Sequence, residues 1–322
     1  MRRLTLSLIA CLCGVLVLLG GTAAQDKKDD KKDPKKANTF TNPSEAGPDF
    51  VIQGEYEGEA AGKGKYGVQV VAKGDGKFEV YVLAGGLPGA GWDGKTRTKV
   101  AAQTQGGQTG ITGSWTGSIT GGVLTAKGPA EEMLTAKKVE RKSPTIGQAP
   151  PANAVVLFDG KSADDWQGGK LVEENLLFCG TSSKKKFGAG KLHIEFRTPF
   201  QPKAGGQGRG NSGVYIHGRE IQVLDSFGLE GKDNECGAFY GSRKPNVNMC
   251  LPPLSWQTYD VEVKPGAKEG ELLATVLHNG VKVHEDYVIK GSASKPATIN
   301  LQNHGNPVVY RNIWIVPAAG GN

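Results

Sequence analysis

The stretch Arg209-Gly-Asn-Ser-Gly-Val-Tyr-Ile-His-Gly-Arg-Glu-Ile-Gln-Val-Leu-Asp225 decides how this chain is read, because it alternates like a β-ribbon around a central Gly. A two-residue turn at Gly218-Arg219, with Gly first as a type II′ turn prefers, predicts a definite pairing. His217 then faces Glu220, Ile216 faces Ile221, Tyr215 faces Gln222 and Val214 faces Val223. Successive side chains point to opposite sides of a strand, so the four aliphatic residues share one face and Tyr215, His217, Glu220 and Gln222 the other. The first face suits a core. The second gathers a phenol, an imidazole, a carboxylate and an amide, and reads either as a solvated outer face or as a reactive one. A turn displaced by one residue would redistribute these four side chains. Asp225 falls on the aliphatic face, so the strand ends or bulges there, or Asp225 caps a turn.

At 322 residues the chain is long enough for two domains. Its 48 glycines and the scarcity of helical periodicity predict an all-β protein of short strands and tight turns. A first unit, 49–139, shows alternating stretches at Tyr66–Val71, Phe78–Leu83 and Gly121–Ala126, and reads as a β-meander or β-roll of roughly six strands. Its Gly58–Lys63 segment is one residue short of a phosphate-binding loop and no Ser or Thr follows the Lys. Trp92 and Asp93, at the tip of the loop Gly85–Gly94, either plug that loop or touch a glycan. Residues 140–153 form a Pro-rich linker. In the second unit, 154–317, Leu192, Ile194 and Phe196 alternate with His193, Glu195 and Arg197. Further strands are expected at Thr258–Lys264, Leu272–His278, Thr298–His304 and Val308–Ile315, with a hairpin at Asn279-Gly280. So many antiparallel strands predict two packed sheets in a jelly-roll-like sandwich, followed by a short tail, 318–322.

The N-terminus carries Arg2 and Arg3, an apolar run from Leu4 to Leu19 and small residues up to Ala24, the pattern of a secretory signal spanning 1–24. Leu8-Ile9-Ala10-Cys11 also matches a lipobox, which makes lipid anchoring the minor alternative. Residues 25–48, rich in Lys and Asp and then in Asn, Pro and Ser, are expected to be a disordered tether. No later segment approaches the roughly 18 apolar residues of a membrane span, so a secreted or periplasmic protein is expected. The formal charge of +7 falls to +3 without Arg2, Arg3 and the tract Asp26–Lys36, and no basic, aromatic-interleaved stripe suggests a nucleic-acid partner. Of the cysteines beyond the signal, Cys236 and Cys250 are the expected loop-closing disulfide and Cys179 a buried thiol.

Outside the hairpin, Arg209 and Asn211 lie in the Gly-rich run Gly205–Gly213, where backbone can approach a ligand. Glu235 and Tyr240 lie in the loop the disulfide would pin, and His304 and Arg311 near the ends of the last two strands, with Gln302 on the face of His304. Neither a Gly-x-Ser-x-Gly elbow nor His-Glu-x-x-His occurs. No cofactor is called for, although a divalent metal held by His217, Glu220 and His304 is chemically reasonable.

Six separated motifs carry a resemblance. They are Val155-Val-Leu-Phe-Asp-Gly-Lys-Ser162 with Trp166, Leu192–Arg197, Asn211–Ser226, Cys236-Gly-Ala-Phe-Tyr-Gly241, Pro252–Asp260 and Leu301–Ile315. Together they are similar to the 3-keto-disaccharide hydrolase domain family over about Ala154–Pro317. The first unit is similar to an N-terminal β extension of planctomycete members. The resemblance implies a concanavalin-like or laminin-G-like sandwich whose carbohydrate substrate is a glycoside already oxidised at C3. It further implies Glu220 or His217 as base, Tyr215 or His304 as acid and Arg209 or Arg311 as a clamp. Asn211 and Gln222 would orient the sugar, and Asp225, Glu235 and Tyr240 complete the substrate-binding set. The alternatives are a lectin-like glycan-binding module and a structural protein of the cell envelope.

Overall fold

The outward residues of an antiparallel barrel usually meet water, yet here parts of two neighbouring strands are buried on both sides, and they show how the molecule is assembled. Strands β1 (Gly54–Ala60), β2 (Gly64–Gly74), β3 (Lys77–Ala84), β4 (Arg97–Gln105), β5 (Gln108–Thr112), β6 (Thr116–Thr120), β7 (Val123–Lys127) and β8 (Met133–Val139) pair in chain order. β8 returns to β1, closing the barrel and removing free sheet edges. This is a computed structural model that describes residues 38–290 and 295–318; the expected signal segment and the first part of the tether lie outside the described residues. The barrel has eight strands where roughly six were expected. The additional ones are short and rich in Gly and Thr: β5 and β6 each bury a single isoleucine, Ile111 and Ile119, too weak an alternation to stand out.

Inside the barrel sit Val68, Val70, Phe78, Val80 and Val82. The intervening residues Val71, Tyr81 and Leu83 point outward and are equally buried, because they belong to the core of the second unit. In return, Phe200 and Leu254 of the second unit pack into the barrel's cluster. The described residues from Asn38 onward therefore form one compact unit.

The second unit is a two-sheet sandwich, and the chain as a whole is all-β. Its strands are β9 (Val155–Phe158), β10 (Trp166–Gln167), β11 (Leu171–Val172), β12 (Leu176–Phe178), β13 (Thr181–Ser183), β14 (Gly190–Arg197), β15 (Ser212–Ile216), β16 (Arg219–Val223), β17 (Gln257–Pro265), β18 (Leu272–His278), β19 (Val281–Ile289), β20 (Asn300–Leu301) and β21 (Val309–Pro317). The smaller sheet runs β10-β13-β20-β15-β16; the larger runs β11-β12-β21-β14-β17-β18-β19, with β9 also on β21. Between them lie Ile194, Phe196, Val214, Ile221, Val223, Tyr259, Leu301 and Tyr310. Ser212 meets Tyr310 across this core, hydroxyl to hydroxyl, at 2.7 Å.

Three expectations need correction. The tether is ordered from Asn38 onward: Phe40 exchanges backbone hydrogen bonds with Phe200 at 3.0 and 2.9 Å, which fixes an apolar side chain against the barrel core. The linker is docked. Arg141 forks onto the buried Glu55 carboxylate at 2.7 and 2.6 Å, Gly147 N donates to Glu195, and Gln148 O accepts from Asn312 and Trp314. The Arg141 bonds neutralise a buried carboxylate of the barrel, and those of Gly147 and Gln148 satisfy polar groups on the outer face of the larger sheet. Cys236 and Cys250 form no disulfide; both are free buried thiols. Cys236 Sγ lies 3.2 Å from Tyr259 Oη, and Cys250 Sγ donates to the Leu224 and Leu251 carbonyls at 3.5 Å.

Candidate active site

The hairpin turns at His217-Gly218, one residue earlier than expected, with φ of +46° and +72°. Two consecutive left-handed residues are the signature of a type I′ turn, whose twist matches the flanking strands. Tyr215 therefore pairs with Glu220, Gly213 with Gln222, Val214 with Ile221 and Ser212 with Val223. Each partner shifts by two positions, an even number, so the faces survive. His217 alone leaves: it sits in the turn with Nε2 3.2 Å from Gly188 O, and burial lowers its pKa.

On the outward face of the smaller sheet, Tyr215 Oη donates to Glu220 Oε2 at 2.7 Å, and Gln302 Nε2 donates to Tyr215 Oη at 3.2 Å. Gly213 makes the pair possible, since a Cβ there would lie 2.2 Å from Glu220 Oε1. The carboxylate thus leans over bare backbone, in the row between Gln222 on β16 and Gln302 after β20. Burial raises the Glu220 pKa, and the Tyr215 hydrogen bond and the His304 charge only partly oppose it. Burial, then the bond to Glu220, pushes Tyr215 up to about 12, so the phenol keeps its proton at neutral pH. Tyr240 is 47% exposed, and its backbone N donates to Glu220 O at 3.1 Å.

Beside this pair, Gln207 Oε1 accepts from Gln222 Nε2 at 2.9 Å and from Asn211 Nδ2 at 3.1 Å. Asn211 Oδ1, Gln222 Oε1 and Gln302 Oε1 are buried acceptors with no hydrogen-bond partner among the described residues. Unpaired buried acceptors are uncommon, and three in one neighbourhood call for donors. Gln207 escaped the sequence reading; its one signal was being a long amide inside a run of glycines.

The structure thus brings Tyr215, Glu220, His304, Tyr240, Asn211 and Gln222 together and separates the rest. Arg209 is buried with Nε 2.6 Å from Asp225 Oδ2, and Asp225 Oδ1 also accepts from Phe227 N, so Asp225 caps the turn that ends the strand. Glu235 Oε2 accepts from Gly231 N and Lys232 N at 2.7 and 3.0 Å, clamping its own loop. Arg311 lies on the other sheet, Nε to Glu195 Oε2 at 2.7 Å, its guanidinium 3.9 Å over the Trp256 ring. Among the described residues no three His, Cys, Asp or Glu groups converge as a metal site, and His217 is bonded to Gly188 O in the turn, so the candidate metal ligands His217, Glu220 and His304 are not gathered. Asp93 accepts from Lys95 N and Thr96 N, and Trp92 Nε1 donates to Thr96 O, the bonds of a loop plug.

A cleft of about 520 Å³ opens on the larger sheet beside the linker, over Glu195, Arg311 and Asn312. Its central carboxylate is already saturated. Burial would raise Glu195, but His193, Asn312, Arg311 and Gly147 together hold it down at about 2. Linker residues Gly147, Gln148 and Ala149 form one wall of this cleft.

Fold and site define a class: a two-sheet β-sandwich with a hydrogen-bonded tyrosine–carboxylate pair and an amide-lined surface on the outward face of its smaller sheet. The sequence model of the 3-keto-alpha-glucoside-1,2-lyase-like domain family matches residues 153–316, and the chain belongs to that family. No curated protein matches it. Three solved structures similar to it are candidate glycosyl hydrolases from Parabacteroides distasonis. The first is 30% identical, with a TM-score of 0.45 over 51% of this chain and 84% of its own. The others are 19% and 22% identical, with TM-scores of 0.40 and 0.37 over 52% and 50% of this chain and 94% and 98% of their own.

Proposed function

We propose that the sandwich cleaves glycosides oxidised at C3, exported from the cell, by elimination across C1–C2 followed by hydration. The observation that carries this reading is the Tyr215–Glu220 pair, a partly buried carboxylate of raised pKa bonded to a phenol that stays protonated. A C3 ketone acidifies the C2 hydrogen. Glu220 takes that proton, and the electron pair of the C2–H bond delocalises as an enolate onto the C3 oxygen. Collapse of the enolate forms C1=C2 and breaks the bond from C1 to the leaving oxygen, which receives a proton from Tyr215 or His304. Water then adds across C1=C2.

Such chemistry needs one base poised near neutrality and donors around it, not the two carboxylates at fixed separation of ordinary retaining and inverting glycosidases. The groups acting on Glu220 are Tyr215 and His304, not a second carboxylate. The half-buried Gln302, whose amide donates to Tyr215 Oη, lies at the rim of the pair and is placed to orient a sugar, with Asn211, Gln207 and Gln222 supporting it from below. Membership of the lyase-like family supports a glycoside-acting enzyme.

The test is to incubate the mature protein with a 3-keto-glucoside and with its unoxidised parent, measuring aglycone. Release from the oxidised substrate alone is expected. Release from neither, with binding retained, would instead fit a lectin-like module. Gly213→Ala should then lower kcat by about a hundredfold, because the new methyl displaces the Glu220 carboxylate while the strand pairing remains. Wild-type turnover in that variant would show that the carboxylate's position does not matter.

A further inference from the structure

We propose that the barrel is part of the catalytic apparatus, with Arg97 as a positioning residue that holds the loop flanking Glu220; this rests on reading the Tyr215–Glu220 face as the active site. Arg97 projects from β4 of the barrel into the sandwich. Its guanidinium lies 3.8 Å over the Tyr81 ring, one Nη donates to Gly228 O, and the other lies 3.9 Å from Glu230. At Gly228, with φ +75°, a Cβ would sit 2.3 Å from Val71 Cγ2, so the loop backbone is pressed against the barrel wall and the charged donor pins it there.

From that anchor the loop leads directly to the site. Asn248 Nδ2 holds Ser226 O and Leu229 O at 2.8 and 3.0 Å, and Glu235 closes the turn through Gly231 and Lys232. Asn234 O then accepts from Gln207 Nε2 at 2.7 Å. Gly237 N donates to Gln222 O at 2.9 Å and Tyr240 N to Glu220 O at 3.1 Å. β16 is the edge strand of the smaller sheet, so these bonds are what cover its free side. The strand that carries Glu220 and Gln222 is therefore stitched to a loop whose other end the barrel holds. A second arginine makes the reciprocal crossing: Arg209 of the sandwich, paired with Asp225, donates to Ala72 O of the barrel at 3.3 Å. Small displacements of a catalytic group cost rate steeply, which gives this buttress its function.

The experiment uses the full chain with Arg97→Met, which keeps the stem on Tyr81 but removes the donors, and Arg97→Lys, which restores a cation. In Arg97→Met, amide exchange over Gly237–Tyr240 is expected to speed up about tenfold while β3 of the barrel stays protected. With the 3-keto-glucoside, kcat should fall about tenfold with little change in KM, and Arg97→Lys should recover most of it. Unchanged protection at Gly237–Tyr240 overturns the proposal whether or not the wild type turns over. Unchanged kcat in an active protein also overturns it. Absence of wild-type cleavage would count against the proposed function alone, leaving the exchange measurement to decide the buttress.

Discussion

Glu220→Gln is expected to lower aglycone release from a 3-keto-glucoside by roughly a thousandfold, within the range that a positioned general base contributes. The amide keeps the volume of the carboxylate and can still accept from Tyr215, so folding and substrate binding should change little. The loss should therefore appear in kcat rather than in KM. The wild-type pH profile offers a second check. The base must be ionised to act, and burial holds the Glu220 pKa above the ordinary carboxylate value of 4.5. Activity should therefore fall on the acid side at a higher pH than a solvated glutamate would give, and this limb should vanish with Glu220→Gln. Full turnover in the variant would remove Glu220 as the base.

Acidification from pH 7 to pH 5 is expected to cost about 4 kcal/mol of folding stability, a large part of what a typical domain possesses. Two histidines are responsible. His278 is fully buried, with Nε2 3.0 Å from Gln257 Oε1, and His284 sits with Nε2 2.7 Å from Gly237 O. Burial pushes their pKa values down from 6.5 to about 3 and about 4. Because the folded values are depressed, the stability is fully present above 6.5. As pH falls below that, the unfolded chain takes up protons that the folded chain refuses, and stability is lost progressively. His193 works in the opposite sense: burial would lower it, but Asp260 and Glu195 outweigh burial and hold it raised. His217, also lowered by burial, acts in the same sense as His278 and His284, so His193 is one group against three. Urea unfolding at the two pH values checks the expectation, and His278→Gln should flatten the dependence. A midpoint that does not move between pH 7 and 5 would contradict it.

Much of the site was readable from alternation. Tyr215, Glu220 and Gln222 share a face in the expected register and in the observed one, because the period of two survives any even shift of partners. The partners themselves were not readable. Gly218 fits either central position of a hairpin turn, and only the observed fold puts His217 at φ +46°, which removes its imidazole from the face and brings the phenol onto the carboxylate. Arg311 is expected in the site from its place near the end of the last strand, and Glu195 only on the outer face of its half-buried strand. Instead the docked linker and Arg311 close over Glu195, contacts between segments some fifty to more than a hundred residues apart in the chain.

By itself, then, the sequence determined the all-β class, the strands with strong alternation, the two-sheet sandwich and the family motifs, since each depends on local periodicity or on short contiguous patterns. Tertiary structure decided the eight-strand closure of the barrel, the docking of linker and Phe40, and the reduced state of Cys236 and Cys250. It also decided which polar groups converge on Glu220. Those outcomes rest on side chains meeting across long separations, as when Arg97 reaches Gly228 and Gln302 reaches Tyr215, and no local pattern encodes such meetings.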